Sequence, residues 1–361
     1  MSQRAWIATR KGLLELHRDG PRWAIAREHF LGEPVSMLLP PQGGSGSDGR
    51  MMAALNLGHF GTKVQVSGDA GREWAEVAAP AYPPQPEGAQ GPAWKLQQIW
   101  SLENIGGTLW AGTIPGGLFR STDFGASWQL DETLWHKPER LGWFGGGYDA
   151  PGIHSICAHP QRAGEVLLGI SCGGAWITRD NGASWALSAR GMRADFMPPE
   201  QAGEQNTQDP HRIVRCAAQP EVLWCQHHCG IWRSIDDGAT WTEVKGAPLS
   251  SFGFAVGVHP ADADTAWFVP GVADQRRIPV NGALVVNRTQ DGGRTFETLR
   301  EGLPQQGCYD LVYRHGLAVS DDGRSLMIGS TTGGLWASDD GGERWTTVST
   351  TLPPIYAVRF G

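Results

Sequence analysis

The sequence predicts an all-β protein, a seven-bladed β-propeller that forms one domain over residues 1–361, and three observations predict it. A short turn motif ending in an aromatic residue recurs about every 50 residues. Each period contains four strand-like segments separated by turns. Glycine (50), proline (24) and tryptophan (17) are all abundant, as expected of many short strands joined by tight turns.

The repeated motif has the form Ser/Thr-x-Asp-x-Gly-x-x-aromatic. In such a turn the Asp carboxylate accepts hydrogen bonds from backbone N–H groups, and the glycine supplies a positive φ. The aromatic side chain then starts a strand, and we expect it to be buried between neighbouring sheets. Six clear copies occupy residues 67–74, 121–128, 178–185, 234–241, 289–296 and 338–345, and a decayed copy lies at 18–23.

The two ends of the chain are expected to share one blade. The N-terminal region supplies three strand-like segments, and residues 354–360 supply the missing innermost strand. Pairing them would satisfy both open edges and close the ring. A six-bladed ring with a flanking extension is the alternative. The predicted blades are residues 1–31 with 354–361, 32–80, 94–131, 153–190, 211–247, 252–300 and 308–350.

The repeated turns resemble Asp boxes, the repeats named from bacterial neuraminidases. The resemblance implies a propeller and a sialidase-like or glycosyl-hydrolase-like bacterial protein, in a family that also includes receptors and a photosystem II assembly factor. Sialidases of this family place an Arg-Ile-Pro motif before the first box. Here Arg277-Ile278-Pro279 lies between the fourth and fifth clear copies, so we do not expect sialidase activity.

Charge and hydropathy exclude several other classes of protein. The net charge is −7 and no basic block occurs, which argues against a nucleic-acid partner. No apolar run approaches the roughly 18 residues of a transmembrane helix, and the first residues do not resemble a secretory signal. The six cysteines do not form a disulfide pattern. We therefore expect a cytoplasmic protein with reduced thiols and no membrane partner.

The uneven lengths of the loops indicate where function lies. In a propeller, the loops from strand four to the next strand one and from strand two to strand three meet at one mouth of the channel. Three long insertions are predicted there, and long loops in a compact β domain usually carry function. They span residues 134–152, 189–211 and 270–282.

Histidines from separate loops are expected to gather at this mouth. Two or three of them, with Asp149 or Asp209, would suit a divalent metal ion as a cofactor. Alternatively, one neutral imidazole acts as a general base while arginines hold an anionic group, or the histidines only line a polar mouth. The predicted metal ligands are His154, His211, His227 and His228.

The sequence thus predicts a hydrolase-type or lyase-type enzyme acting on a small polar or sugar-like substrate or glycan. The alternatives are a non-catalytic binding or assembly module and a glycan-binding protein, and the oligomeric state is left open. The candidate catalytic residues are His154, His211, Asp149, Tyr309 and Asp310. The candidate substrate-binding residues are Arg10, His59, Arg212, Arg277 and Trp143.

Overall fold

The computed structural model describes residues 3–20, 22–41, 49–146 and 148–361. These residues form seven antiparallel sheets, which confirms the seven-bladed propeller. Parts of the predicted first and second blades, of the decayed motif copy and of the 134–152 insertion lie outside the described residues, namely residues 1–2, 21, 42–48 and 147.

Each blade runs from an innermost strand at the channel to an outermost strand at the rim. Blade 1 contains β1 (Arg4–Thr9), β2 (Gly12–Asp19) and β3 (Arg22–His29), with β29 (Ile355–Phe360) innermost. Blade 2 contains β4 (Val35–Leu39), β5 (Met51–Asn56), β6 (Thr62–Ser67) and β7 (Ala75–Val77). Blade 3 contains β8 (Gln98–Ile105), β9 (Thr108–Ile114), β10 (Leu118–Ser121) and β11 (Gln129–Leu130). Blade 4 contains β12 (Ile153–Ala158), β13 (Val166–Ile170), β14 (Gly174–Thr178) and β15 (Ala186–Leu187).

The last three blades follow the same plan, with one added strand. Blade 5 contains β16 (Pro210–Arg215), β17 (Leu223–His227), β18 (Gly230–Ser234) and β19 (Thr242–Val244). Blade 6 contains β20 (Gly253–His259), β21 (Asp262–Ala273), β22 (Arg276–Pro279), β23 (Val286–Thr289) and β24 (Glu297–Leu299). Blade 7 contains β25 (Leu317–Val319), β26 (Leu326–Gly329), β27 (Leu335–Ser338) and β28 (Thr346–Ser349). Helix α1 (Glu132–Trp135) and four short 3₁₀ helices (Gly58–Phe60, Pro138–Gly142, Gln205–Thr207 and Val280–Gly282) lie in the connections.

The chain ends close the ring as predicted. Strand β29 pairs antiparallel with β1 from Ala5 opposite Phe360 to Thr9 opposite Ile355. The innermost strands contact one another in the circular order β29, β4, β8, β12, β16, β20 and β25, and β25 contacts β29 again. Apolar side chains fill the spaces between adjacent sheets, including the buried tryptophans Trp6, Trp110, Trp176, Trp224, Trp267 and Trp336.

The repeated turn has the hydrogen bonds that its sequence predicts. In the second copy the Gly125 N–H donates to Ser121 Oγ at 2.7 Å, and the Ser127 N–H donates to Asp123 Oδ1 at 2.9 Å. Phe124 and Gly125 both have positive φ, 58° and 90°, which only glycine and a few other residues adopt at low cost. The other five clear copies make equivalent bonds.

These turns make the stability of the fold sensitive to acid. The Ser127 hydroxyl and N–H, which donate to Asp123, lower the pKa of this carboxyl to about 2, and Thr295 does the same for Asp291. An unfolded aspartate has a pKa of about 3.9. The stabilisation is therefore complete above about pH 4 and is lost as the pH falls toward about 2.

We expect the urea midpoint of unfolding to fall between about pH 5 and about pH 2.5. The Asp123→Asn variant should start from a lower midpoint and fall less steeply over this range, because its amide does not titrate. A variant that kept the wild-type dependence on pH would show that this carboxylate does not contribute.

Two predicted segments differ from the structure. Blade 7 begins at Leu317 and not near residue 308, because residues 309–316 are held by turns and single bridges instead of a strand ladder. The predicted 270–282 loop is largely a hairpin, because β21 continues to Ala273 and pairs with β22. All six cysteines are free thiols. None of the helices in the described ranges has the length and apolar character needed to cross a membrane.

Candidate functional site

A β-bulge at the mouth end of most innermost strands places the residues of the site. Between Ile99 and Ser101 of β8 the pairing with β9 shifts by one residue, which leaves Trp100 unpaired. An extra residue of this kind bends the strand and redirects its side chain. The same shift leaves Ser36 unpaired in β4, His154 in β12, His211 in β16 and Tyr356 in β29, and a related irregularity includes Phe254 in β20.

A cavity of about 790 Å³ opens at this end of the channel. Its wall combines aromatic faces, hydroxyl groups and two arginines, as in pockets for small polar ligands. Glu33 is the single carboxylate among the described residues that line it. Other lining residues are Ser36, Trp100, Gly146, Tyr148, Arg277, Tyr313, Arg314, His315 and Tyr356.

Asp209, His211 and His228 bring three metal-binding side chains together beside this cavity. Asp209 Oδ2 lies 3.4 Å from His211 Nε2 and 3.4 Å from His228 Nδ1. The ligand atoms of all three lie within 4.8 Å of one another. The Cys172 N–H and the Ser171 hydroxyl donate to Asp209 Oδ1. The carboxylate is thereby held with its other oxygen toward the two imidazoles.

The surroundings keep the Asp209 carboxylate charged and orient the His211 ring. Burial acts to raise the pKa of Asp209, but the contacts of its carboxylate with His211 and His228 and the charge of Arg314 hold that pKa well below its usual range. Burial lowers the pKa of His211, although Asp209 opposes it. The Nδ1 atom of His211 lies 2.6 Å from the Gly253 carbonyl oxygen, so this nitrogen donates its proton there. The Nε2 lone pair therefore faces Asp209.

A glycine connects the three-residue group to the cavity. Gly146 lines the cavity, and a Cβ built on it would lie 3.2 Å from Asp209 Oδ2 and 2.6 Å from the Ser171 hydroxyl oxygen. The backbone at Gly146 can approach the carboxylate this closely only because it has no side chain.

The other two predicted metal ligands lie outside this group. His227 is buried, and the N–H groups of Asp209 and Cys229 each point at one of its ring nitrogens at 3.0 Å. Both nitrogens thus face the loop backbone, and the one nitrogen that carries the lone pair already accepts a hydrogen bond. His154 is also buried, with its ring edge-on to Trp100 at 5.4 Å between centroids. Its Nδ1 contacts the Ser155 hydroxyl, and its Nε2 has no hydrogen-bond partner among the described residues.

A second cluster of candidate ligands, His159, Glu165 and Asp237, belongs to the opposite face of the propeller. The Arg162 guanidinium already contacts both carboxylates of this cluster. The backbone N–H of Arg162 donates to His159 Nδ1 at 3.0 Å. Arg215 forms another ion pair with Asp237. A guanidinium therefore stands where a metal ion would bind, and we assign this cluster a structural role.

Four of the remaining predicted residues lie at or near the mouth. Arg277 lines the cavity and pairs with Asp274. His59 is exposed and packs against Phe60, which lines the cavity. Arg10 and Asp149 are exposed and do not line it.

The other four predicted residues do not line the cavity. Trp143 is 5% exposed, and its indole N–H donates to Asn206, so this ring packs the fold instead of offering a face. Half-buried Arg212 donates to the His154 carbonyl and to His315 Nδ1. Tyr309 and Asp310 fall within the predicted bounds of blade 7 but precede its first strand, β25. Tyr309 is 66% exposed, while Asp310 accepts hydrogen bonds from two hydroxyl groups of blade 7.

Sequence reasoning missed the side chains that dominate the cavity wall: Trp100, Tyr148, Tyr313, Arg314 and His315. A signal was present in the run Tyr313-Arg314-His315, where three chemically active residues are consecutive. A blade predicted to start at residue 308 includes this run in its strands, whereas the structure has no strand there. Asp209 was considered only as an alternative to Asp149.

No protein-family model and no curated protein matches the chain. Among solved structures it is similar to the GH74 xyloglucanase from Xanthomonas campestris, with a TM-score of 0.64 and 16% identity over 97% of this chain and 53% of that one. The chain thus spans about half the length of that enzyme.

Two other similar structures match over most of their own length as well as most of this chain. A putative 6-phosphogluconolactonase from Bacteroides uniformis matches with a TM-score of 0.63 and 10% identity over 100% of both chains. YCF48 from Cyanidioschyzon merolae matches with a TM-score of 0.54 and 14% identity over 88% of both chains. These likenesses show the fold alone, that of GH74 enzymes and other β-propeller proteins.

Proposed function

We propose that the protein is a hydrolase-type enzyme that acts on a small, sugar-like substrate at the mouth of the propeller, with a divalent metal ion as cofactor. The observation that carries the proposal is the group formed by Asp209, His211 and His228, which adjoins Gly146 of the cavity wall. Two imidazoles and one carboxylate, with room for a water molecule, are a ligand set of catalytic zinc and related ions.

The distances in the group favour an ion between its members. Ligand atoms bound tetrahedrally at about 2.0–2.2 Å from a zinc ion lie about 3.3–3.5 Å apart, and both contacts of Asp209 Oδ2 measure 3.4 Å. A neutral His211 that donates Nδ1–H to Gly253 presents a lone pair to an anionic oxygen. A cation removes this repulsion. A carbonyl acceptor for the second ring nitrogen is also the usual partner of a metal-bound histidine.

The cavity supplies what the reaction needs besides the ion. A divalent ion held there polarises a carbonyl or lowers the pKa of a bound water molecule. The exposed Tyr148 ring lines the cavity and offers an aromatic face against which a sugar-like ring can pack. Hydroxyl groups of Tyr148, Tyr313 and Tyr356 can accept or donate hydrogen bonds to the substrate. The partly exposed His228 is the ligand nearest to solvent.

The number of carboxylates that line the cavity favours cleavage of an ester or a lactone over cleavage of a glycosidic bond. Most glycosidases use a pair of carboxyl groups on either side of the scissile bond, whereas Glu33 is the single carboxylate among the described lining residues. Metal-assisted attack of water on a carbonyl needs no such pair. The likeness to a putative 6-phosphogluconolactonase supports a sugar-like substrate of this kind.

The test is a hydrolysis screen with aryl esters, sugar lactones and aryl glycosides. We expect turnover of an ester or lactone that is lost on chelation and restored by Zn²⁺ or Mn²⁺. The His211→Ala variant should stay inactive after metal is added, while His159→Ala, in the opposite cluster, should respond as the wild type does. Turnover that survives chelation would overturn the metal-assisted mechanism. If the metal-loaded protein hydrolysed no substrate of the panel, the proposed hydrolase function would be overturned and a binding module would be favoured.

A further inference from the structure

Hydrogen-bond donors without partners meet at the inner wall of the cavity. Arg314 is 7% exposed and His315 is 3% exposed, and both line the cavity. The Nε and Nη2 atoms of Arg314 and the Nε2 atom of His315 are buried and have no hydrogen-bond partner among the described residues. Leaving such groups unpaired is costly, above all for a charged one.

Two aromatic rings contact the Arg314 guanidinium. Its Cζ atom lies 4.6 Å from the centre of the Trp100 ring and 5.3 Å from that of Phe254. Neither ring carries an oxygen or nitrogen atom that could accept a hydrogen bond from the guanidinium, so these contacts leave its N–H groups unpaired. The two unpartnered atoms, Nε and Nη2, belong to the same edge. That edge is the fork that binds the two oxygens of a carboxylate or a phosphate.

The neighbouring imidazole adds a third donor. Arg212 Nη1 donates to His315 Nδ1 at 2.7 Å, so Nδ1 acts as the acceptor and the ring proton belongs to Nε2. Burial, together with the charge of Arg212, holds the pKa of His315 well below its usual range, so this ring remains a neutral N–H donor. Arg212 also donates to the His154 carbonyl at 3.2 Å, which fixes its own position.

We infer that Arg314 and His315 form an anion subsite that binds a carboxylate or phosphate group of the substrate. The subsite deepens the proposed function, on which its role in catalysis rests, because it names the substrate as an anionic sugar-like compound. A second arginine at the wall, Arg277, adds to the positive field, although Asp274 is its partner. The Asp209 group borders the same cavity through Gly146. An anion on Arg314 would thus hold the rest of the substrate near the proposed metal ion.

Isothermal titration calorimetry on the intact protein tests the subsite without any turnover. The probes are gluconate, glucose 6-phosphate, inorganic phosphate and neutral glucose. We expect gluconate or glucose 6-phosphate to bind and glucose not to bind. Gluconate alone would assign the site to carboxylates, and glucose 6-phosphate with inorganic phosphate would assign it to phosphates. Equal binding of glucose, or no binding of any anion, would overturn the inference.

Arg314→Met should weaken anion binding at least about 100-fold, since it removes a bidentate charge-assisted contact. Arg314→Lys keeps the charge but loses the two parallel N–H donors, so it should also bind anions poorly. This variant replaces Arg314→Met in the test if the Met variant does not fold. Arg276→Met, which changes an exposed arginine near the mouth, is the matched control and should bind as the wild type does. Wild-type binding by a folded Arg314 variant would overturn the inference.

The same titrations separate this inference from the proposed function. The His211→Ala variant should lose metal and turnover and keep anion binding, because the fork does not depend on the ion. Arg314→Met should keep its metal content. Anion binding in a protein without hydrolytic activity would leave the subsite standing and reject only the enzyme.

Discussion

The Asp209→Asn variant is expected to lose divalent metal ions that the wild type binds at about one equivalent. The amide keeps the size of the carboxylate and can still accept the hydrogen bond from Cys172 N–H, so we expect the fold to persist. What it lacks is the negative oxygen that faces both imidazoles at 3.4 Å. Removing even an outer partner of a metal ligand costs about 10–100-fold in affinity, so losing the ligand itself should cost more.

Metal content by mass spectrometry after dialysis, together with a Zn²⁺ titration, measures this effect. Asp195→Asn is the matched control, because Asp195 lies in the same long loop but pairs with Arg193 at the surface. His228→Ala should lower the affinity in the same way as Asp209→Asn. A wild type that binds no Zn²⁺, or an Asp209→Asn variant that binds it equally well, would reject the proposed centre.

A chain that ends at Pro353 is expected to lose most of its stability, because blade 1 would then lack its innermost strand. Strand β29 buries Ile355, Ala357 and Val358. Burying an Ile or Val side chain contributes roughly 1.5–3 kcal/mol, so the strand contributes on the order of 5 kcal/mol with its ladder. That is comparable to the whole stability of many domains. Removal of β29 would also leave β1 as an open edge of its sheet.

Thermal and urea unfolding of the purified chains measure this loss. Thr351→Ala, at an exposed position just before the strand, is the matched control and should unfold like the wild type. A synthetic peptide of residues 354–361, added in excess, should restore part of the lost stability by pairing with β1. A truncated chain that unfolded at the wild-type midpoint would show that ring closure contributes little.

Local chemistry made the fold predictable. Each copy of the turn motif carries its own hydrogen-bonding serine or threonine, its own aspartate and its own glycine, so each turn forms from residues within eight positions of one another. Because the copies are spaced by about one blade, their number and period predict the ring and its closure. The bonds between Ser121, Asp123 and Gly125 illustrate this local control.

The site was predictable only in part, because its residues come from several blades. The sequence predicts that His211 and His228 lie near each other, and the structure brings both beside Asp209. The exclusion of His227 depends on two backbone N–H groups of the folded loop, and nothing in the spacing of the residues indicates them. Trp143 resembles an available aromatic in the sequence and is buried by Trp176 and Asn206 in the fold.

The sequence by itself determined the repeat, the blade count, the pairing of the chain ends and the face that carries the long loops. Only the tertiary structure decided which side chains enter the cavity, because that depends on bulges that shift single residues of the innermost strands. Such a shift reflects packing between neighbouring blades and leaves no periodic mark in the chain. For the same reason, the unpaired edge of Arg314 becomes visible only once Trp100 and Phe254 lie against it.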